Sequence, residues 1–244
     1  MAIMKKLDRF AKARFRRLKK NIKEFAVSRQ IETLHQIRVE IKKIKSVLLG
    51  IGFSSGRFKS HKAFLPLREI FRRAGEIREP VLIGELLAKY NLSGGGKGLQ
   101  GDPARIEEFV ANVPRYLTVV GKRKDKVLAA LKAVKENDVK MFIRQLRREI
   151  RLELYPEVSV QNLHKTRKMI KELLYLAAPL DLLKRREGKF LEETERLIGD
   201  RQDKLLVLEQ AKKGVHNDSL MSSLNHSCGL DAARLKRSVT AFYA

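Results

Sequence analysis

The chain has 244 residues, with 53 Lys and Arg against 28 Asp and Glu, a net charge of +25, no Trp and one Cys. A hydrophobic content of 43% supports one large core or two small ones, so a disordered basic tail is excluded as a description of the whole. The lone Cys228 excludes a disulfide framework and any multi-cysteine metal site, and points to a reducing, cytoplasmic compartment. No apolar run approaches the roughly 18 to 20 residues of a membrane span, and residues 1–10 lack the apolar stretch of a secretory signal, so a soluble protein is expected.

The charge is unevenly placed. The first 47 residues hold 15 Lys and Arg against 4 Asp and Glu. Such self-repulsion opposes compactness and points to a polyanionic partner: nucleic acid, anionic lipid or polymeric phosphate.

In chain order, Ile3, Leu7, Ala11, Phe15, Leu18, Ile22 and Phe25 form the apolar stripe of an amphipathic helix, with Arg9, Lys12, Arg16, Lys19, Lys20 and Lys23 on its other faces. Ser28 is expected to cap a second helix that ends at Gly50. A third helical region spans His61 to Tyr90, with Pro66 near its start and Pro80 as a kink or break. A glycine-rich loop follows over residues 91–101. Asp102 and Pro103 then make an N-cap and first helical residue for a helix reaching Val113, with Pro114 as a kink or restart. Two more helices are expected over Lys124 to Glu136 and Asp138 to Leu154, and another from a Ser159 cap to Ala178. A long one over Gly188 to Lys213 and two short pieces, Asp218 to Cys228 and Asp231 to Tyr243, complete the chain. No segment shows strand alternation, and the expected class is all-α.

Two stretches resemble each other. LHQIRVEIKKIK from Leu34 and LHKTRKMIKELL from Leu163 share Leu, His, Arg, Ile and Lys at equal spacings, with the histidines 129 residues apart. Downstream, Ala74 to Glu79 matches Ile198 to Asp203, with the glycines 124 apart. Two similar offsets in the same order suggest an internal duplication, with repeats of about 1–120 and 121–244 in a single 244-residue domain and two four-helix bundles related by a pseudo-two-fold axis.

At 100° per residue, His35, Arg38, Lys42 and Lys45 fall within an arc of about 80°, a line of cations down one helix face. His164, Arg167, Lys168, Lys171 and Tyr175 repeat the pattern on the later helix. A basic stripe is most often a solvated helix face, but its recurrence with a histidine at the head each time favours an anion partner. Neither histidine has a second His or a carboxylate at i+3 or i+4, and the cationic neighbours oppose a divalent ion, so no metal and no cofactor are expected. His216, His226 and Cys228 match no zinc spacing.

The run from His35 to Lys45, the Leu67, Phe71, Gly75 and Arg78 spacing, and the run from His164 to Tyr175 together resemble the conserved-histidine α-helical domain family, CHAD, over almost the whole chain. The resemblance implies two four-helix bundles flanking a basic cavity that binds inorganic polyphosphate, and association with polyphosphate granules. It further implies that His35, Arg38, Lys42, Lys43, Lys45, Arg72, Arg78, His164, Arg167, Lys168, Lys171 and Tyr175 face or support that cavity. Two positions depart from the family pattern: Glu79 follows Arg78 where Asp is usual and is itself followed by Pro80, and Leu174 stands where a second-half Arg is common.

A base-free phosphate polymer calls for Lys and Arg donors in register, and no catalytic group is required. The runner-up reading is a nucleic-acid-binding helical protein, opposed by the lack of a recognition-helix, zinc-finger or aromatic-stacking pattern. A phosphohydrolase or phosphotransferase using His35 or His164 ranks below it, since neither face carries a carboxylate pair for magnesium. The Gly94 to Gly98 run lacks the Gly-Lys-Ser/Thr ending of a phosphate loop. A membrane-surface role ranks third, because the apolar stripe of the first helix is the seam that a bundle requires.

Overall fold

A computed structural model describes residues 2–90, 101–158, 160–214 and 218–244. The expected loop at 91–100, including the Gly94 to Gly98 run, the Ser159 cap and His216 lie outside the described residues. The described residues form nine α-helices: α1 Ala2–Ser28, α2 Ile31–Ser54, α3 Ser60–Lys89, α4 Pro103–Ala111, α5 Val113–Leu131, α6 Glu136–Leu154, α7 Leu163–Ala177, α8 Arg185–Gly214 and α9 Asp218–Tyr243. Short 3-10 turns, Val160–Asn162 and Ala178–Leu180, flank α7, and no described residue lies in a strand. The class is all-α.

The chain divides into two compact units, one of residues 1–82 and 98–143, the other of residues 83–97 and 144–244, with the division falling inside α3 and α6. In the first unit α1 packs on α2 and α5. The expected stripe of α1 is buried, with Leu18, Ile22 and Phe25 fully so, each such side chain contributing about 1.5 to 3 kcal/mol. Phe25 meets Phe109 of α4 edge to face at 5.2 Å, and Tyr116 of α5 extends the cluster. One charge enters this seam: buried Arg14 donates to buried Glu40 of α2 at 3.1 Å. Burial pulls the Arg14 guanidinium below its usual range and Glu40 opposes that shift.

In the second unit α7 packs on α8 and α8 on α9. Leu86, Leu87 and Tyr90, from the end of α3 onward, pack against a core of Val207, Leu208, Ala211, Leu224 and Cys228. Burial pushes the Cys228 thiol up, which suits a packing residue better than a reactive one. Near the C-terminus Phe190 stacks on Phe242 with ring centres 3.9 Å apart.

Several boundaries differ from the sequence expectations. Helix α2 does not stop at Gly50, which is buried within it, but continues to Ser54. A side chain on Gly52 would meet the Ser60 side chain at 3.0 Å, so this glycine serves a close approach and not a termination. Ser28 ends α1, its hydroxyl accepting from the Gln30 amide, while Arg29 turns the chain at a φ of 53° and Gln30 caps α2. Pro80 lies inside an unbroken α3. The break placed at Asn137 and Asp138 falls earlier, at residues 132–135, because α5 starts at Val113 and runs through Lys124. The two expected C-terminal pieces are one helix, α9. Asp102 does cap α4, accepting from the Ala104 amide at 3.0 Å with Pro103 as the first helical residue.

Candidate functional site

In the first unit, α2 has two working sides. Glu40, on one side, holds Arg14 of α1 and also Lys43, which donates to it at 3.3 Å. Lys43 thus belongs to the α1 seam as much as to the cationic face. The other side turns to α3. There Arg38 lies over the Phe71 ring, its guanidinium carbon 4.2 Å from the ring centre, with the Lys42 ammonium 5.7 Å from the same centre. Arg38 also donates to Glu79 at 2.9 Å. A Cβ on Gly75 would sit 1.7 Å from Arg38 Nη1, so the guanidinium occupies the space that any other residue at 75 would fill. Ring, glycine and carboxylate together fix one arginine. His35 and Lys45 are half-buried on the same arc of α2. On α3, Arg72 is exposed and paired with Glu76, whereas Arg78 is half-buried one helical turn past Gly75.

In the second unit the corresponding face of α7 is a hydrogen-bonded chain. Arg167 Nε donates to Glu195 at 2.7 Å, and Lys171 reaches the same oxygen at 2.9 Å. Arg167 Nη1 donates to the Gln202 carbonyl at 2.9 Å, and the Gln202 amide stands 3.1 Å from His164 Nδ1. Because the Gln202 oxygen is taken by an arginine, its nitrogen is the donor, which leaves the His164 ring proton on Nε2. Gly199 repeats the role of Gly75: its Cβ would lie 2.6 Å from Arg167 Nη2. Lys168 is exposed and Tyr175 half-buried on the next turns of the face.

The electrostatics of this chain are asymmetric. Burial pushes the Glu195 carboxyl up, but hydrogen bonds from Lys171 and Arg167 outweigh it and hold the group below the usual carboxylate range. Asp203 is raised, chiefly by burial, with Arg167 opposing. Chemically, both faces present fixed Arg and Lys donors suited to phosphate oxygens. Among the described residues no group of three His, Cys, Asp or Glu is placed to hold a metal ion, and no helix is long and apolar enough to cross a membrane.

Glu195 and Gln202 were not among the expected residues. Extending the Gly75 and Gly199 correspondence four residues back pairs Phe71 with Glu195, and three residues forward pairs Arg78 with Gln202, which is the signal for both in the sequence. The contacts themselves depend on side-chain conformers that no spacing specifies.

A family model described as CHAD domain matches residues 9–211. In structure, the chain is similar to the crystal structure of the CHAD domain from the plant Ricinus communis, with a TM-score of 0.75 and 16% sequence identity, covering 98% of this chain and 92% of that one. At that identity the likeness is one of fold. No curated protein sequence matches the chain.

Proposed function

The chain belongs to the CHAD domain family, and from that premise we propose that it is a binding module for inorganic polyphosphate, held by the cationic faces of α2 and α7. The observation that carries the reading is the seating of Arg38 and Lys42 together on the Phe71 ring. The ring and Gly75 hold the guanidinium in place without neutralising it, and its carboxylate partner Glu79 is 61% exposed, so a phosphate oxygen can take that place at small cost. Arginine grips phosphate in a planar, bidentate way, lysine supplies a mobile point charge, and the His164 Nε2 proton is a further donor. A polymer that engages many such donors in register binds by counterion release, with affinity falling steeply as salt rises. The proposal assigns no catalytic residue. It extends to a cytoplasmic location at polyphosphate granules, where such a ligand would concentrate the protein.

Competition distinguishes this from nucleic-acid binding. With labelled polyphosphate bound, duplex DNA added at matched phosphate and salt concentration should displace little of it. DNA winning the competition would overturn the assignment.

A further inference from the structure

The first unit carries a second positive surface besides the histidine face. On α1, Lys5, Arg9, Lys12, Arg16 and Lys19 lie on the side opposite the buried stripe, and with Lys124 of α5 they line a groove of about 700 Å³. From Lys5 to Lys19 the track spans fourteen residues, about 21 Å at 1.5 Å per residue. Asp8 is the single carboxylate in that lining and is paired with Lys12 at 2.7 Å. Among the described residues no carboxylate stands at ion-pair distance from Lys5, Arg9, Arg16, Lys19 or Lys124. Lys19 reaches across to α5, its ammonium 3.3 Å from where a Cβ on Gly121 would be, so the groove is bounded by two helices.

This groove is separate from the α2 face. Helix α2 meets α1 through Glu40 and meets α3 through Arg38 and Lys42, and Glu40 is two residues from each, about 160° away around the helix. The α1 cations point away from the seam with α2, so one stretch of polymer lying on Arg38 and Lys42 does not run along α1 within this unit.

We infer that the α1–α5 groove is a second, independent binding track for a linear phosphate chain. The ligand class rests on the proposed function, whereas the groove itself does not depend on the histidine face. The aromatic residue in the lining, Phe15, is 1% exposed, so the groove offers no platform on which a nucleobase would stack, and its donors address phosphate alone. Unpaired cations on successive turns repel one another, and a bound polyanion removes that repulsion.

The test is a count of short polyphosphate chains bound per protein at fixed salt. The wild type should hold at least two, one in the α1–α5 groove and one on the α2 face. Arg9→Glu with Arg16→Glu, both exposed, should lose the groove's chain while helicity is unchanged, and Arg38→Ala with Lys42→Ala should lose the one on the α2 face. The milder Arg9→Ala with Arg16→Ala serves if charge reversal loosens α1. Arg57→Glu with Lys59→Glu, exposed cations outside the groove, makes the same change in net charge and should keep both sites. An unchanged count in the α1 variants, or an equal loss in the Arg57 and Lys59 control, would overturn the inference. Loss of a site in the α1 variants with none in Arg38→Ala, Lys42→Ala would support the groove while refuting the histidine face as a site.

Discussion

The histidine-headed helices α2 and α7 place an arginine three residues after the histidine, against a glycine of a neighbouring helix, and pair it with a carboxylate that is exposed in the first unit and half-buried in the second. The residue four before the glycine sets them apart. In the first unit that residue is Phe71, Arg38 and Lys42 rest on its ring, and the carboxylate that Arg38 meets, Glu79, is 61% exposed. In the second it is Glu195, and Arg167 and Lys171 share its carboxylate. A cation held by an aromatic face and an exposed carboxylate exchanges that carboxylate for phosphate readily, whereas two cations sharing a half-buried carboxylate make a more rigid site with less net charge. The α2 face is therefore expected to dominate phosphate binding, with α7 contributing less per cation.

The largest test of that asymmetry is a pair of double variants. Arg38→Ala with Lys42→Ala should weaken polyphosphate binding by about 10- to 100-fold, from two charge-assisted contacts, with helicity nearly intact. Arg167→Ala with Lys171→Ala should weaken it less, and should also cost about 1 to 3 kcal/mol of stability, because Glu195 loses both partners in a half-buried setting. Equal binding losses and equal stability in the two variants would break the comparison. Isothermal titration and denaturant unfolding measure both quantities.

Next in size is Gly75→Ala. The new methyl occupies the place of Arg38 Nη1, so the guanidinium must leave the Phe71 ring and Glu79, and binding should fall by about five- to tenfold. Alanine favours a helix over glycine by about 1 kcal/mol, so thermal stability should change little, which separates lost positioning from lost folding.

Glu195→Gln sharpens the contrast from the other side. Removing the carboxylate should tighten binding by about two- to fivefold while lowering stability at neutral pH. The sign follows from the lowered Glu195: its stabilising contribution is present above the unfolded carboxylate value of about 4.3 and is lost as pH falls through the folded value. The stability gap between wild type and variant, read by unfolding at neutral pH and again in acid, should close in acid. The smallest expected effect is Phe71→Leu, which keeps the packing but removes the ring face, at about 0.5 kcal/mol or roughly twofold in affinity.

Much of this was legible in the sequence, for physical reasons that vary by element. The stripe on α1 read correctly because burial follows helical period, and Asp102 read as a cap because a carboxylate before Pro103 has one local role. Gly50 misled, since a breaker's local preference yields when tertiary packing buries the helix around it. The cationic faces were visible as arcs, but their asymmetry was not. It rests on Phe71 and Glu195, which lie on other helices, and on Gln202, whose two contacts arise only when α7 packs on α8.

The central claim is that polyphosphate lies on the α2 and α7 faces, and backbone amide shifts recorded through a polyphosphate titration test it most directly. Progressive changes centred on His35 to Lys45 and His164 to Tyr175, larger on the first, are the predicted result. Perturbation that leaves both stretches unmoved while polyphosphate is bound would contradict it.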